Sequence, residues 1–367
     1  MLTYYQPFLL PFLHRKRYTL PDGVFQTHFL SFEDAMWSIF SLKNISQKSI
    51  VLVPDFYCMD VVENIERHGY TPVFYPLDNN FQIAKLVLER LIDTYKPSVL
   101  ILFHACGITN TRLADGKYIE KLCNHMLVVE DCVHRLINPT TVSVYHPNHF
   151  MIDSVRKVSP LYGSFVYSKM PISIPKIQMR QKEYSYIILT HLLYSLFRIA
   201  FVLGVVIRSY GLVSFAHKRL LRFHDDLVGD STYGYKGSRR NRMLHHYIDF
   251  SYIETHKQKQ VALYEHLLKP LYIPSSPWYE VHMRSLDKKL LHVYPVGFKS
   301  RADFIVADVE KVLRDSRIPV WFKFQDSPWS NNRAVLFLPL GFHVTTGDIQ
   351  HVCRLLIQFH RLSAPNS

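Results

Sequence analysis

Short apolar runs alternate with amphipathic stretches of helical length along the first two thirds of the chain. Met126-Leu127-Val128-Val129, Phe150-Met151-Ile152 and Phe165-Val166-Tyr167 read as strands, because each is a brief, partly β-branched or aromatic run bounded by polar or turn residues. Between them, Ser31–Leu42, Met59–His68 and Ala84–Tyr95 carry apolar residues at helical spacing. Strands alternating with helices build βα units, so residues 1–245 are expected to form an α/β domain of three layers with a mostly parallel sheet. A helix at about Tyr247–Leu268 leads into Pro274-Ser275-Ser276-Pro277, a linker-like turn. A smaller C-terminal α+β domain is expected over residues 246–367. No internal repeat or low-complexity tract interrupts this order.

Composition narrows the class. A chain of 367 residues that is 48% hydrophobic and 14% aromatic has ample material for a core and is not disordered. Its five cysteines, at positions 58, 106, 123, 132 and 353, are odd in number and lack metal-type spacing. That pattern argues against a disulfide framework and a zinc site and favours a reducing compartment, expected to be the cytoplasm. The apolar patch at Met1–Pro7 precedes the basic cluster His14-Arg15-Lys16-Arg17, the reverse of a signal peptide.

A formal net charge of +13 implies attraction to anions. The densest basic run, Lys236-Gly237-Ser238-Arg239-Arg240-Asn241-Arg242, reads as a solvated loop or an anion contact. Residues 187–207 are apolar for about the length of a membrane span. They contain His191 and Arg198, and an arginine at a membrane centre costs roughly 2.5–3.5 kcal/mol. The expected reading is a helix packed on the protein or a partner subunit, with peripheral membrane contact and then a membrane-spanning helix as the alternatives.

Two residues carry the candidate chemistry. Asp131 ends the Met126–Val129 strand, where catalytic groups of open α/β sheets sit, and Lys157 follows 26 residues later in Ser154-Val155-Arg156-Lys157. A buried carboxylate that pairs with a ring nitrogen and an amine that attacks an aldehyde are the two groups pyridoxal phosphate chemistry needs. Lys157 sits between two strands, and partial desolvation there frees the neutral amine.

With their flanks, these segments resemble the sugar aminotransferase family named after DegT, DnrJ, EryC1 and StrS, within the fold type I pyridoxal phosphate enzymes. Val51-Leu52-Val53-Pro54-Asp55-Phe56-Tyr57-Cys58 resembles the family's strand and Pro-x-x-x-aromatic turn, and Gly69–Asp78 its Gly-x-x-Pro-Val-Phe strand. His104-Ala105-Cys106-Gly107 resembles its His-x-x-Gly, Glu130-Asp131-Cys132-Val133-His134 its Glu-Asp-x-x-His, and Ser154–Lys157 its lysine turn, which Ser159–Ser164 leads into the next strand. Fainter likeness continues at Phe298–Asp303 (a helix start), Ile318-Pro319-Val320-Trp321 (a strand) and Leu336–Leu340 (a strand before the last helix).

The resemblance implies an aspartate aminotransferase-like fold and pyridoxal 5'-phosphate as cofactor. It implies Lys157 as the catalytic amine that forms the internal imine, Asp131 on the pyridine nitrogen, His134 on the phenolic oxygen and Ser154 on the phosphate. Ser31 would lie at the phosphate cup, and Cys58 falls where the family places a stacking aromatic, so Phe56 or Tyr57 would stack instead. Arg239, Arg240 or Arg242 would contact the diphosphate of a nucleotide-linked sugar, reaching toward the neighbouring subunit of a homodimer. The expected reaction moves an amino group from an amino acid donor to a keto sugar, with no nucleic-acid partner.

Besides Cys58, and Ser164 where a second glycine is usual, the cup departs from the family pattern. Phe32 replaces a glycine at the cup, and Glu33 and Asp34 bring negative charge toward the phosphate unless both side chains turn outward. Ser31 followed by two acids is also an ordinary helix start. The alternatives are therefore a non-catalytic relative that binds or scaffolds, or a basic protein that acts on a membrane surface or nucleic acid.

Overall fold

The computed structural model describes residues 13–14, 16–110, 115–157, 159, 161, 163–173, 181–228, 239–299, 303–316, 318, 320 and 322–363. Met1–Pro7, Arg15, Pro160, Tyr162, 236–238, 300–302, Pro319 and Trp321, all within segments of the sequence reading, lie outside these residues.

In chain order the elements begin with β1 (Phe25–Phe29), α1 (Phe32–Leu42), β2 (Ile50–Pro54), α2 (Met59–Arg67), β3 (Thr71–Tyr75), α3 (Lys85–Tyr95) and β4 (Val99–Phe103). Next come α4 (Gly116–Cys123), β5 (Leu127–Cys132), β6 (His149–Asp153) and β7 (Ser164–Ser168). Four helices follow: α5 (Gln181–Val206), α6 (Tyr210–Val228), α7 (Arg239–His245) and α8 (Phe250–Leu268). The chain closes with β8 (Trp278–Glu280), β9 (Val293–Phe298), α9 (Asp303–Asp315), β10 (Ala334–Pro339) and α10 (Thr346–Ser363).

The seven-stranded sheet has the order β1-β7-β6-β5-β4-β2-β3. From β3 to β6 it is parallel, while β7 and then β1 join antiparallel. This is the expected α/β sheet. Buried strands such as Val99-Leu100-Ile101-Leu102-Phe103 read as continuous apolar runs because helices cover both faces of a parallel sheet. Strand order reverses between β2 and β4, so the carboxyl ends of β2, β4, β5 and β6 lie side by side where α/β proteins place their sites.

The second sheet, β10-β9-β8, is antiparallel. Helix α8 docks on it through Gln260, whose amide donates to the carbonyls of Gly341 and Val344, and through the Tyr264 hydroxyl on the Pro339 carbonyl. The segment after α9 reaches back to the large sheet. The Trp329 backbone N–H donates to the Asp55 carbonyl, and Arg333 donates to the Leu77 carbonyl at 3.0 Å and to Asn79 at 2.7 Å.

Two expectations are corrected. Ile318 and Val320 lie in a connection and not in a strand; the bridge to Leu336 comes one step later, from Phe322. Helix α8 starts at Phe250 and not Tyr247, because the Asp249 carboxylate caps it by accepting the Tyr252 N–H at 2.9 Å. In keeping with the expected packed helix, residues 187–206 lie within a longer helix, α5, that packs against α6 as a hairpin, and Ile207 follows its end. Among the described residues no helix is long and apolar enough to cross a membrane.

Candidate active site

Adjacent residues of a strand point to opposite faces, and β5 uses this to separate two acids. Glu130 lies on one face, between His104 (Oε2 to Nε2 2.8 Å) and His149 (Oε1 to Nε2 2.9 Å). His149 Nδ1 accepts the Tyr145 N–H, so its Nε2 carries the hydrogen and donates. Burial opposes the Glu130 charge, yet the hydrogen bonds from His104 and His149 hold its carboxyl well below the usual range. His104, Glu130 and Cys132 bring ligand atoms within 4.8 Å of one another, a grouping that sequence spacing does not display. Both Glu130 oxygens are already engaged by imidazoles, which makes Glu130 with its two histidines a brace linking the ends of β4, β5 and β6.

Asp131 faces the other way. Its Oδ2 accepts the Tyr57 hydroxyl at 2.6 Å, and its Oδ1 accepts the Val133 N–H at 2.9 Å. Burial pushes its pKa up to about 6, against the Tyr57 and Val133 hydrogen bonds and the positive charge of Lys157. At neutral pH the carboxylate is mostly ionised. The β5–β6 register sets Asp131 opposite Ile152, so the 3-10 turn Val155–Lys157 after β6 delivers Lys157 to the neighbourhood of Asp131. The turn is closed by the Lys157 N–H on the Ser154 carbonyl, and Ser154 is buried beside it.

Gly163 closes the lysine turn for a steric reason. Its φ is +95°, and a Cβ there would stand 2.4 Å from the Phe29 carbonyl oxygen and 2.5 Å from His28 Nε2. Gly107 in His104–Gly107 is fixed in the same way: its φ is +103°, and a Cβ would meet the His134 oxygen at 2.7 Å and Leu291 Cα at 2.7 Å. This close approach brings the start of the small sheet onto the site. The His292 N–H is shared between the Cys106 and His134 carbonyls, and burial together with the charge of Lys157 holds the His292 ring well below its usual pKa.

The sequence-predicted residues divide into three groups. Asp131, Lys157, Ser154 and His134 are brought together at the strand ends. The His134 ring stacks on Phe324 (centroids 5.7 Å, planes 9° apart) and lies 5.6 Å from His292, so rings brought in from the C-terminal part of the chain set its orientation.

Ser31 and Cys58 sit nearby in changed roles. Ser31 caps α1: its hydroxyl accepts the Asp34 N–H at 3.0 Å and donates to Asp34 Oδ2 at 2.9 Å. A hydroxyl has one donor, so this one is not left for a phosphate. Asp34 does not turn outward; it is fully buried, bent back over the helix start. Cys58 begins α2 without a side-chain cap, and burial with the charges of Asp60 and Glu33 pushes its thiol up to about 11. It is a neutral thiol, not a nucleophile.

Phe56 and the arginines are corrections. Phe56 is wholly buried among Phe81, Phe324 and Trp329, with centroids 4.8–5.0 Å away, and has no surface for a cofactor ring to cover. Tyr57 does not stack either, because its ring edge packs on Phe103 while its hydroxyl serves Asp131. Arg239, Arg240 and Arg242 lie on helix α7 and not in a loop; Arg239 and Arg242 are exposed, and the Arg240 side chain lies outside what is described.

Sequence reasoning missed Tyr57 as the donor to Asp131, and it missed His292 and Lys257. Lys257 is fully buried on α8, donates to the Leu291 carbonyl at 2.8 Å, and is lowered to about 7 by burial. Neither His292 nor Lys257 lies in a motif.

The fold that carries this site is similar to that of solved aminotransferases. Helicobacter pylori PseC, an aminotransferase of pseudoaminic acid biosynthesis, matches with a TM-score of 0.56 at 13% identity, covering 98% of this chain and 99% of its own. DesV from S. venezuelae, solved with a ketimine intermediate, matches at 0.55 and 13% identity over 91% and 84%. Pyrococcus horikoshii kynurenine aminotransferase matches at 0.54 and 10% identity over 95% and 78%. At these identities the likeness is one of fold. No family model matches the sequence, and no curated protein does.

Proposed function

We propose that the protein is a pyridoxal phosphate dependent aminotransferase of the sugar-modifying kind, moving an amino group from an amino acid to a keto group of a nucleotide-linked sugar. The observation that carries this reading is the meeting of Asp131 and Lys157 at the carboxyl ends of adjacent strands. The fit to the cofactor is good at one end. A carboxylate offers about four acceptor positions, so Asp131 can take a ring N–H while keeping Tyr57 and Val133. At the other end the donors are fewer: Ser154 and the N–H groups of Phe32 and Glu33, which an α-helix leaves outside its own hydrogen bonding. The buried Asp34 carboxylate opposes a dianion there. Weak retention of the cofactor is the expected result.

Bound pyridoxal phosphate would supply an aldehyde for amine exchange and a protonated ring that accepts electrons. Asp131 keeps the ring nitrogen protonated, because its charge is held by Tyr57 and Val133 in a buried setting. Lys157 Nζ would hold the cofactor through its aldehyde carbon, with loss of water, and once displaced by the donor amine would be the base placed to move the proton at the substrate carbon. Positioned proton transfer of this type is typically worth about 10²–10⁴-fold. His134, braced by Phe324 and His292, would be the residue to contact the cofactor's phenolic oxygen. A homodimer with shared sites and membership in the DegT, DnrJ, EryC1 and StrS group belong to the same proposal, supported by the motif order.

The test is isotopic. Protein saturated with pyridoxal phosphate is given ¹⁵N-glutamate and nucleotide-linked keto sugars, and product is read by mass spectrometry. Label in the sugar, abolished by Lys157→Met, supports the reading. Failure of the protein to retain any visible cofactor absorbance after incubation with excess pyridoxal phosphate and removal of the free cofactor would favour the second reading, a non-catalytic relative, which the Ser31–Asp34 pair at the phosphate end motivates.

A further inference from the structure

The outer face of α5 presents Leu192, Leu196, Ile199, Leu203 and Val206, continued by Ile207 just past its end, each more than half exposed. At 100° per residue these fall within a stripe about 100° wide, on the side opposite Phe197, Phe201 and Val205. That inner side is occupied: Phe201 and Val205 pack with Val213, Ala216 and Leu220 of α6, and α6 in turn touches α1. The hairpin is thus seated on the protein by one face and leaves a continuous aliphatic stripe on the other, with no described residue over it. Scattered exposed leucines need no explanation, but an ordered row of six on one helix does.

Charge identifies the occupant. From Tyr184 to His224, 41 residues, the chain has no Asp or Glu, while it has Arg198, Arg208, Lys218, Arg219 and Arg222. Arg208, in the turn between the helices, and Lys218 and Arg219 on α6 are exposed. Arg219 lies over the half-exposed Phe215 ring, 5.7 Å from its centroid, and Phe215 meets Phe197 of α5, so an aromatic and cationic edge borders the aliphatic stripe. A second copy docking face to face would set two cationic stretches, each without an acid from residue 184 to residue 224, against each other. A bilayer surface of anionic lipids supplies both an apolar layer and negative charge.

We infer that the α5–α6 hairpin is a docking surface for an anionic lipid bilayer, with the Leu192–Ile207 stripe sunk into the headgroup and acyl boundary and Arg208, Lys218 and Arg219 at the phosphates. The helix lies in the plane of the membrane. The inference stands apart from the reading of the active site, since it uses none of its residues.

Sedimentation of the full chain with vesicles of phosphatidylcholine plus phosphatidylglycerol, and with pure phosphatidylcholine, tests it. The wild type is expected to partition onto the anionic vesicles and to come off as salt rises. The triple variant Leu196→Glu, Ile199→Glu, Leu203→Glu should lose at least tenfold in partitioning. The charge variant Arg208→Glu, Lys218→Glu, Arg219→Glu, which leaves the stripe intact, should lose on the order of 10²-fold, at about fivefold per basic residue. Equal wild-type recovery with and without vesicles, or unchanged binding by the charge variant, would overturn it. So would a fall in solution mass of the apolar variant with its vesicle binding intact, since the face would then join two copies of this chain.

Discussion

Replacing Tyr57 by Phe removes one hydroxyl from the site and leaves its ring in place against Phe103. The hydroxyl donates to Asp131 at 2.6 Å, and both side chains are buried. A hydrogen bond to a charged group contributes about 1.5–3 kcal/mol, equivalent to about 1–2 pKa units for its acceptor. Asp131 stands at about 6 in the wild type. In the variant it is expected at about 7–8. An acid whose folded pKa is raised contributes stability below its unfolded value of 3.8 and loses it as pH rises through the folded value. In the wild type that loss ends near pH 6; in Tyr57→Phe it continues to higher pH. The difference in unfolding free energy between the two proteins should therefore be small at pH 5 and reach about 1.5–3 kcal/mol by pH 8.5. Tyr57 itself stays neutral throughout, because burial and then the Asp131 charge hold its pKa well above the ordinary value. Urea unfolding of the cofactor-free protein at both pH values measures the difference. A destabilisation of equal size at pH 5 and 8.5 would refute the claim that Tyr57 supports an ionised carboxylate.

Other substitutions probe the frame of the site. Lys257→Met should stabilise the protein near neutral pH: bringing the amine from 10.5 to about 7 costs on the order of 4–5 kcal/mol, against about 1–3 kcal/mol for the lost bond to the Leu291 carbonyl. Because the depressed lysine loses stability as pH falls toward 7, the variant's advantage should shrink by about 1.4 kcal/mol per pH unit from pH 7 to 9, and a pH-independent difference would show a charged Lys257. Gly107→Ala should cost at least about 3 kcal/mol, since a Cβ at φ +103° collides with backbone at His134, Leu290 and Leu291; an unchanged thermal midpoint would contradict the packing.

Legibility followed the range of the interactions. Asp131, Ser154 and Lys157 were readable because strand, turn and side chain are set within a few residues of one another, and the parallel sheet follows from the alternation of short apolar and amphipathic runs. Partners from distant segments were not. Tyr57 reaches Asp131 across 74 positions, and whether it or Phe56 faces the site depends on Trp329 and Phe324, which claim Phe56 for the core. The inward turn of Asp34 was hidden for a different reason: an acid in a first helical turn reads the same whether its carboxylate meets water or the cap hydroxyl of Ser31. Arg239, Arg240 and Arg242 look like a loop because basic residues next to Gly237-Ser238 carry no apolar period, yet they start a helix whose last residues, Leu244 and His245, pack inward.

The central claim is that Lys157, facing Asp131, is the amine that holds the cofactor. Borohydride reduction of the protein incubated with pyridoxal phosphate, followed by peptide mass spectrometry, tests it directly. The account predicts a pyridoxyl adduct on Lys157 and none on the buried Lys257; an adduct on another lysine, or on none, would contradict it.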